Sequence, residues 1–146
     1  MNSRDQSKLH HLADELRTVL GRLKRRLREQ APVGDLSPSQ RSVLRQIDRD
    51  GPATITALAR AEGMRPQSMG AIVAALEAAA MVEGQADPGD GRQTLYSLTA
   101  ACREWLAAGR AARRDWLMQA LQARLTAAER AQLEGAVALL RRLAEP

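Results

Sequence analysis

Apolar residues recur at helical spacing in several stretches of the chain, and once the period changes to that of strands. From about Lys8 to Glu29, Leu9, Leu12, Leu16, Val19 and Leu23 alternate steps of three and four, with Leu20 and Leu27 widening the stripe. This predicts a long amphipathic helix, which Pro32 and Gly34 end. Ser37, Pro38 and Gln40 form a capping box with proline at the first helical position, opening a helix to about Arg49 with Val43, Leu44 and Ile47 inward. Asp50-Gly51-Pro52 stops it.

Thr54 caps a short helix with Ile55, Leu58 and Ala59 as its core contacts, and Glu62-Gly63 turns into the next. That next helix starts near Arg65, because Pro66 suits the first helical position. Met69, Ile72, Val73, Leu76 and Ala80 lie along its buried face. Arg65, Gln67, Ser68 and Gly70 lie off that stripe, beside the unpaired N–H groups of the helix start, where an anion or a base edge can approach.

Val82 to Ala86 and Thr94 to Leu98 are short, rich in β-branched and aromatic residues, and separated by DPGDGR, which predicts a hairpin with a projecting tip. Arg92 ends that tip. Beyond Thr99 a helix of some 25 residues, expected to be the longest, carries Trp105 and Trp116 eleven apart on one face. Thr126 and Glu129 form a second capping box, and Leu133, Val137, Leu140 and Ala144 run along the final helix. The first and last helices therefore present stripes that a second subunit would bury.

At 146 residues the chain suits one domain or a compact two-part unit. Phenylalanine is absent and aromatics make up 2%, so the core rests on Leu, Val, Ile, Met and Ala. A formal charge of +5 and a pI near 10.6 bias the protein toward nucleic acid or an anionic surface. The crowd of Arg22, Lys24, Arg25, Arg26 and Arg28 reads first as a solvated basic face near a helix C-terminus.

A single cysteine excludes a disulfide framework within the chain and fits a reducing compartment. No apolar run approaches the ~18 residues of a membrane span, and MNSRDQSKLHH lacks a signal-peptide core, so a cytoplasmic location is expected. His10 and His11 stand beside no nucleophile motif and have no further ligand at i+3 or i+4, so neither a hydrolase triad nor a metal site is expected. The glycines of DPGDGR lack phosphate-cradle spacing. No catalytic constellation and no cofactor are expected, and Cys102 reads as a packed thiol.

The run LEAAAMVEGQADPGDGRQTLYSLT resembles the MarR family of winged helix-turn-helix regulators. Leu76, Glu77, Met81, Val82, Asp87, Pro88, Asp90, Arg92, Leu98 and Thr99 match the family pattern in order and spacing. The chain departs from it at Gly70 and Ala71, where many relatives carry a threonine-arginine pair, and at Gly91, where many carry a further arginine.

The resemblance implies a mainly α fold with a small β-hairpin wing. Residues 1–34 and 100–146 would form dimerisation helices and residues 35–99 a winged helix-turn-helix domain. It further implies a homodimer on pseudo-palindromic double-stranded DNA, acting as a repressor that answers to a small aromatic or phenolic effector. Arg65, Pro66, Gln67, Ser68 and Met69 would meet the major groove, and Arg92, with Asp90, the minor groove. The rivals are a winged-helix module that docks protein, and a basic helical protein adhering to anionic membranes.

Overall fold

The structure is a computed structural model describing residues 2–146. Six helices and one hairpin follow in order: α1 Ser3–Glu29, α2 Pro38–Asp50, α3 Ile55–Ala61, α4 Pro66–Ala78, β1 Val82–Ala86, β2 Thr94–Leu98, α5 Ala100–Arg124 and α6 Ala127–Ala144. Helix α1 begins five residues earlier than its apolar stripe indicates, because a helix need not bury its first turn and Asp5 suits an N-terminus. With 27 residues it exceeds the 25 of α5, which therefore is not the longest.

The chain divides into two compact units, residues 2–32 with 109–146, and residues 33–108. The division falls inside α5: Cys102 belongs to the core of the second unit, and Trp105 and Leu106 pack against it. That core gathers Val43, Leu44 and Ile47 from α2, Leu58 and Ala59 from α3, Met69, Val73 and Leu76 from α4, and Val82 and Leu98 from the hairpin. We call this the winged unit. Both predicted capping boxes form: Ser37 Oγ accepts from Gln40 N and Gln40 Oε1 from Ser37 N, with Thr126 and Glu129 repeating the pattern.

The other, helical unit contrasts in burial. Neither α1 nor α6 holds a buried residue, and Leu9, Leu12, Val19, Leu20 and Leu23 of α1 are exposed, as are Leu133, Val137, Leu139 and Leu143 of α6. Arg26 lies over the Trp116 ring, 5.6 Å from its centroid, so one flank of α1 meets α5 within this unit.

Candidate nucleic-acid interface

The turn between α3 and α4 is closed by backbone geometry. Gly63 takes a positive φ of 62°, its N–H donates to Arg60 O, and Met64 N–H donates to Ala59 O, the paired bonds of a helix end that needs a left-handed residue. Ser42 Oγ, on α2, donates to Glu62 Oε1 at 2.6 Å and ties the turn to the preceding helix. Arg65 is the extended N-cap of α4 and Pro66 its first residue. Arg65, Pro66, Gln67 and Ser68 are all exposed.

Met69 is a correction: its side chain is fully buried in the winged core, one helical step from the exposed group, and offers nothing to a ligand. Gly70 is half-buried, with Ile55 Cδ1 3.9 Å from where its Cβ would stand, so it gives room to α3 rather than to a groove.

Ala80 is a second correction. Helix α4 ends at Ala78, and Ala80 is exposed at φ 55° instead of lying on the buried face. Its N–H donates to Glu77 O while Met81 N–H donates to Leu76 O, the same closure that Gly63 performs on α3. Thr99 then joins two helix ends: its Oγ1 donates to Ala80 O at 2.7 Å and accepts from Cys102 N at 3.1 Å.

The wing is antiparallel, with Val82 opposite Leu98 and Ala86 opposite Thr94. Ala53 exchanges backbone bonds with Tyr96, 3.0 Å and 2.8 Å, extending the ribbon by a single bridge. A Cβ on Gly84 would stand 2.7 Å from Thr94 Cγ2 and 3.1 Å from Tyr96 Cε1, so only glycine fits at the wing's base. At the tip Asp87 Oδ1 accepts from Gly89 N and Asp90 Oδ1 from Arg92 N, two Asx-type turns. Arg92 Nε lies 3.5 Å from the same Asp90 oxygen, and the arginine side chain is 95% exposed. The aspartate thus fixes the root of the arginine and leaves its guanidinium largely in solvent.

The predicted residues therefore fall into two groups, the exposed Arg65 to Ser68 at the head of α4, and the exposed Arg92 with half-buried Asp90 at the wing tip. Sequence reasoning missed the Ser42–Glu62 bond, the role of Gly84 and the bridge at Ala53. For Gly84 the signal was there, a glycine within a strand marking a close approach. A one-residue bridge and a hydrogen bond across twenty positions leave no periodic trace.

The winged unit also holds an apolar cleft of about 400 Å³ walled by Val33, Leu36, Met81 and Trp105, with Asp35 its one charged lining residue. Cys102 is fully buried, and burial pushes its thiol above the ordinary value, helped by the Asp48 carboxylate and opposed by Arg103. Such a thiol is a packing group.

A three-helix core with a hairpin wing, an exposed helix start and a bare arginine on the tip defines a winged helix-turn-helix protein of the transcription-regulator class. Residues 34–93 match the MarR family model. An HTH-type transcriptional regulator of Mycobacterium tuberculosis is 38% identical over 129 residues, spanning 88% of this chain and 90% of that protein. A crystal structure of a transcriptional regulator protein from Pseudomonas aeruginosa superposes with a TM-score of 0.82 at 37% identity, covering 100% of this chain and 99% of the other.

A mutant of S. aureus MepR bound to an oligodeoxyribonucleotide shares the fold, with a TM-score of 0.71 at 16% identity over 92% of this chain and 98% of that one. The chain belongs to the MarR family, a family of transcriptional regulators rather than of enzymes. No helix among the described residues is long and apolar enough to cross a membrane.

Proposed function

We propose that the protein is a homodimeric repressor of a pseudo-palindromic operator, released by a small aromatic or phenolic effector. The head of α4, Arg65 to Ser68, enters the major groove, and Arg92, rooted by Asp90, enters a narrow A·T-rich minor groove that attracts a guanidinium. Two such heads must meet successive major grooves about 34 Å apart per helical turn. The observation that carries this reading is the wing tip: an arginine 95% exposed, its backbone and Nε both held by one aspartate, has no structural task in the chain itself. Dimerisation is supported by the uncovered leucines of α1 and α6. The cleft beside Trp105 is the candidate for the effector, with an aromatic wall for a flat ligand.

Selection of duplexes from a random pool, with and without a panel of phenolic acids, identifies operator and effector together. On the selected operator, Arg92→Ala weakens binding and lowers the salt slope by about one ion per protomer, two for the dimer. An unchanged affinity and slope in a fluorescence titration would remove the wing from the interface. One observation favours a protein-docking module instead. The winged unit has seven Lys and Arg against nine Asp and Glu, a net of −2. A pool from which no duplex is enriched at low ionic strength would decide for that rival.

A further inference from the structure

The charge of this protein is divided between its two units, and the division is the reverse of what a DNA-reading head would lead one to expect. The helical unit carries fifteen Lys and Arg against eight Asp and Glu, a net of +7, while the winged unit is at −2. Between Thr54 and Thr99, which include both candidate reading surfaces, Arg60, Arg65 and Arg92 face five carboxylates. Sequence-independent attraction to a duplex grows with the number of phosphates that cations neutralise. A head of this composition supplies little of it.

The densest supply of cations elsewhere is the C-terminal half of α1. Arg26 is engaged, 3.9 Å from Glu29 and stacked over Trp116, and Arg28 sits in the last turn beside open carbonyls, where a cation has a local reason to be. Arg22, Lys24 and Arg25 have no such reason. All three are exposed and, among the described residues, none has an ion pair. At 100° per residue they spread over an arc of about 160° centred opposite the Leu12–Leu16–Val19–Leu23 stripe.

We infer that Arg22, Lys24 and Arg25 form a second, sequence-independent contact surface for duplex DNA, binding the phosphate backbone outside the bases that the winged unit reads. The inference rests on the operator-binding reading and adds where its electrostatic share resides. Duplex DNA is favoured over an anionic membrane because a helix lying on lipid inserts its apolar stripe, and on α1 that stripe is the surface assigned to the second subunit.

The test is a salt titration by fluorescence anisotropy of the full chain on the selected operator, once trimmed to the bases that the winged unit protects and once extended by about one helical turn on each side. Replacing Arg22, Lys24 and Arg25 together by Gln keeps helix-forming residues at exposed positions. On the extended duplex the variant's log–log salt slope falls by about 5, three contacts being lost from each protomer, so that a fourfold rise in salt costs the parent roughly 1,000-fold more affinity than the variant. Discrimination against random sequence stays, the trimmed duplex shows a smaller difference, and the triple Lys version of the variant restores the slope.

A variant slope equal to the parent's would make the trio a solvated face and overturn the inference while operator binding stands. Loss of binding to vesicles containing anionic lipid, with the DNA slope unaltered, would reassign the trio to a membrane and overturn it equally. A parent chain that retains no duplex at low salt would remove the functional reading first and the inference with it, so the two failures are told apart by the parent alone.

Discussion

The two units of this protein solve the burial problem in opposite ways. The winged unit closes a core of Leu, Val, Ile and Met around Leu44, Leu58, Met69 and Leu76, all at or below 1% exposure. The helical unit leaves every exposed large hydrophobic of the described residues to itself: Leu9, Leu12, Val19, Leu20, Leu23, Met118, Leu133, Val137, Leu139 and Leu143. Exposed apolar side chains in such number are the kind of surface that protein–protein interfaces cover. The difference teaches that the winged core closes within one copy of the sequence, whereas α1 and α6 leave their apolar residues uncovered. Charge follows the same line, since cations absent from the head are concentrated on the helices.

The largest effect tests the self-sufficient half. Leu58→Ala empties a fully buried site between α2, α3 and α4 and costs about 3 kcal/mol, an amount that partial collapse of the site can lower or strain can raise. The loss is read in denaturant unfolding. Leu12→Ala, at 60% exposure, changes a monomer by a few tenths of that.

The opposite half is tested by Leu9→Glu with Leu12→Glu, which places two carboxylates on the apolar stripe of α1. If a second copy covers that stripe, the pair lowers apparent stability by roughly 2–4 kcal/mol at micromolar protein and shifts sedimentation to the monomer. A variant that sediments like the parent would break the comparison, because the stripe would then have some other occupant.

Much of the architecture was legible in the sequence, and the illegible parts share a cause. Pro38, Pro66, Ser37 and Thr126 announce helix starts because capping chemistry is local. The wing's strands were marked by a change of period, and its tip by DPGDGR. Hidden were features that depend on residues far apart: Ser42 with Glu62, Ala53 with Tyr96, and the seating of Cys102 in the winged core, which moves the division of the chain into α5. Of the candidate site, Arg65, Gln67, Ser68 and Arg92 stand exposed and Asp90 half-buried beneath Arg92, but Met69 was grouped with its neighbours by sequence proximity while the helix turns it inward.

Gly84 gives a sharper view of the winged half, because what is constrained there is the hairpin rather than the core. In Gly84→Ala the new methyl meets the Thr94 side chain at Cγ2, 2.7 Å away, a distance at which one of the two must move, and Tyr96 Cε1 at 3.1 Å. The expected loss is about 1–2 kcal/mol. It should appear together with weakened operator binding, since Tyr96 also anchors the bridge to Ala53 on which the wing leans. A stability loss with operator affinity intact would uncouple the wing's base from its tip.

The smallest effect concerns the helix ends themselves. Helices α3 and α4 close with the same pair of backbone bonds, yet Gly63 occupies the left-handed position in one and Ala80 in the other. An L-residue with a Cβ pays about 1–2 kcal/mol there, and glycine does not. Substituting Ala80→Gly removes that strain while loosening the unfolded chain by about 0.5–1 kcal/mol. The net is a stabilisation of about 0.5 kcal/mol, measured as a higher denaturant midpoint at constant slope. Gly63→Ala, the mirror experiment, imposes the left-handed strain while restricting the unfolded chain, so the two terms again oppose and the net is a destabilisation of about 0.5 kcal/mol. If the two substitutions changed stability in the same direction, conformational preference at the left-handed residue would not be what sets the ends of these helices. The Thr99 hydroxyl, which accepts Cys102 N–H and donates to Ala80 O, would then be the stronger restraint on the α4 end.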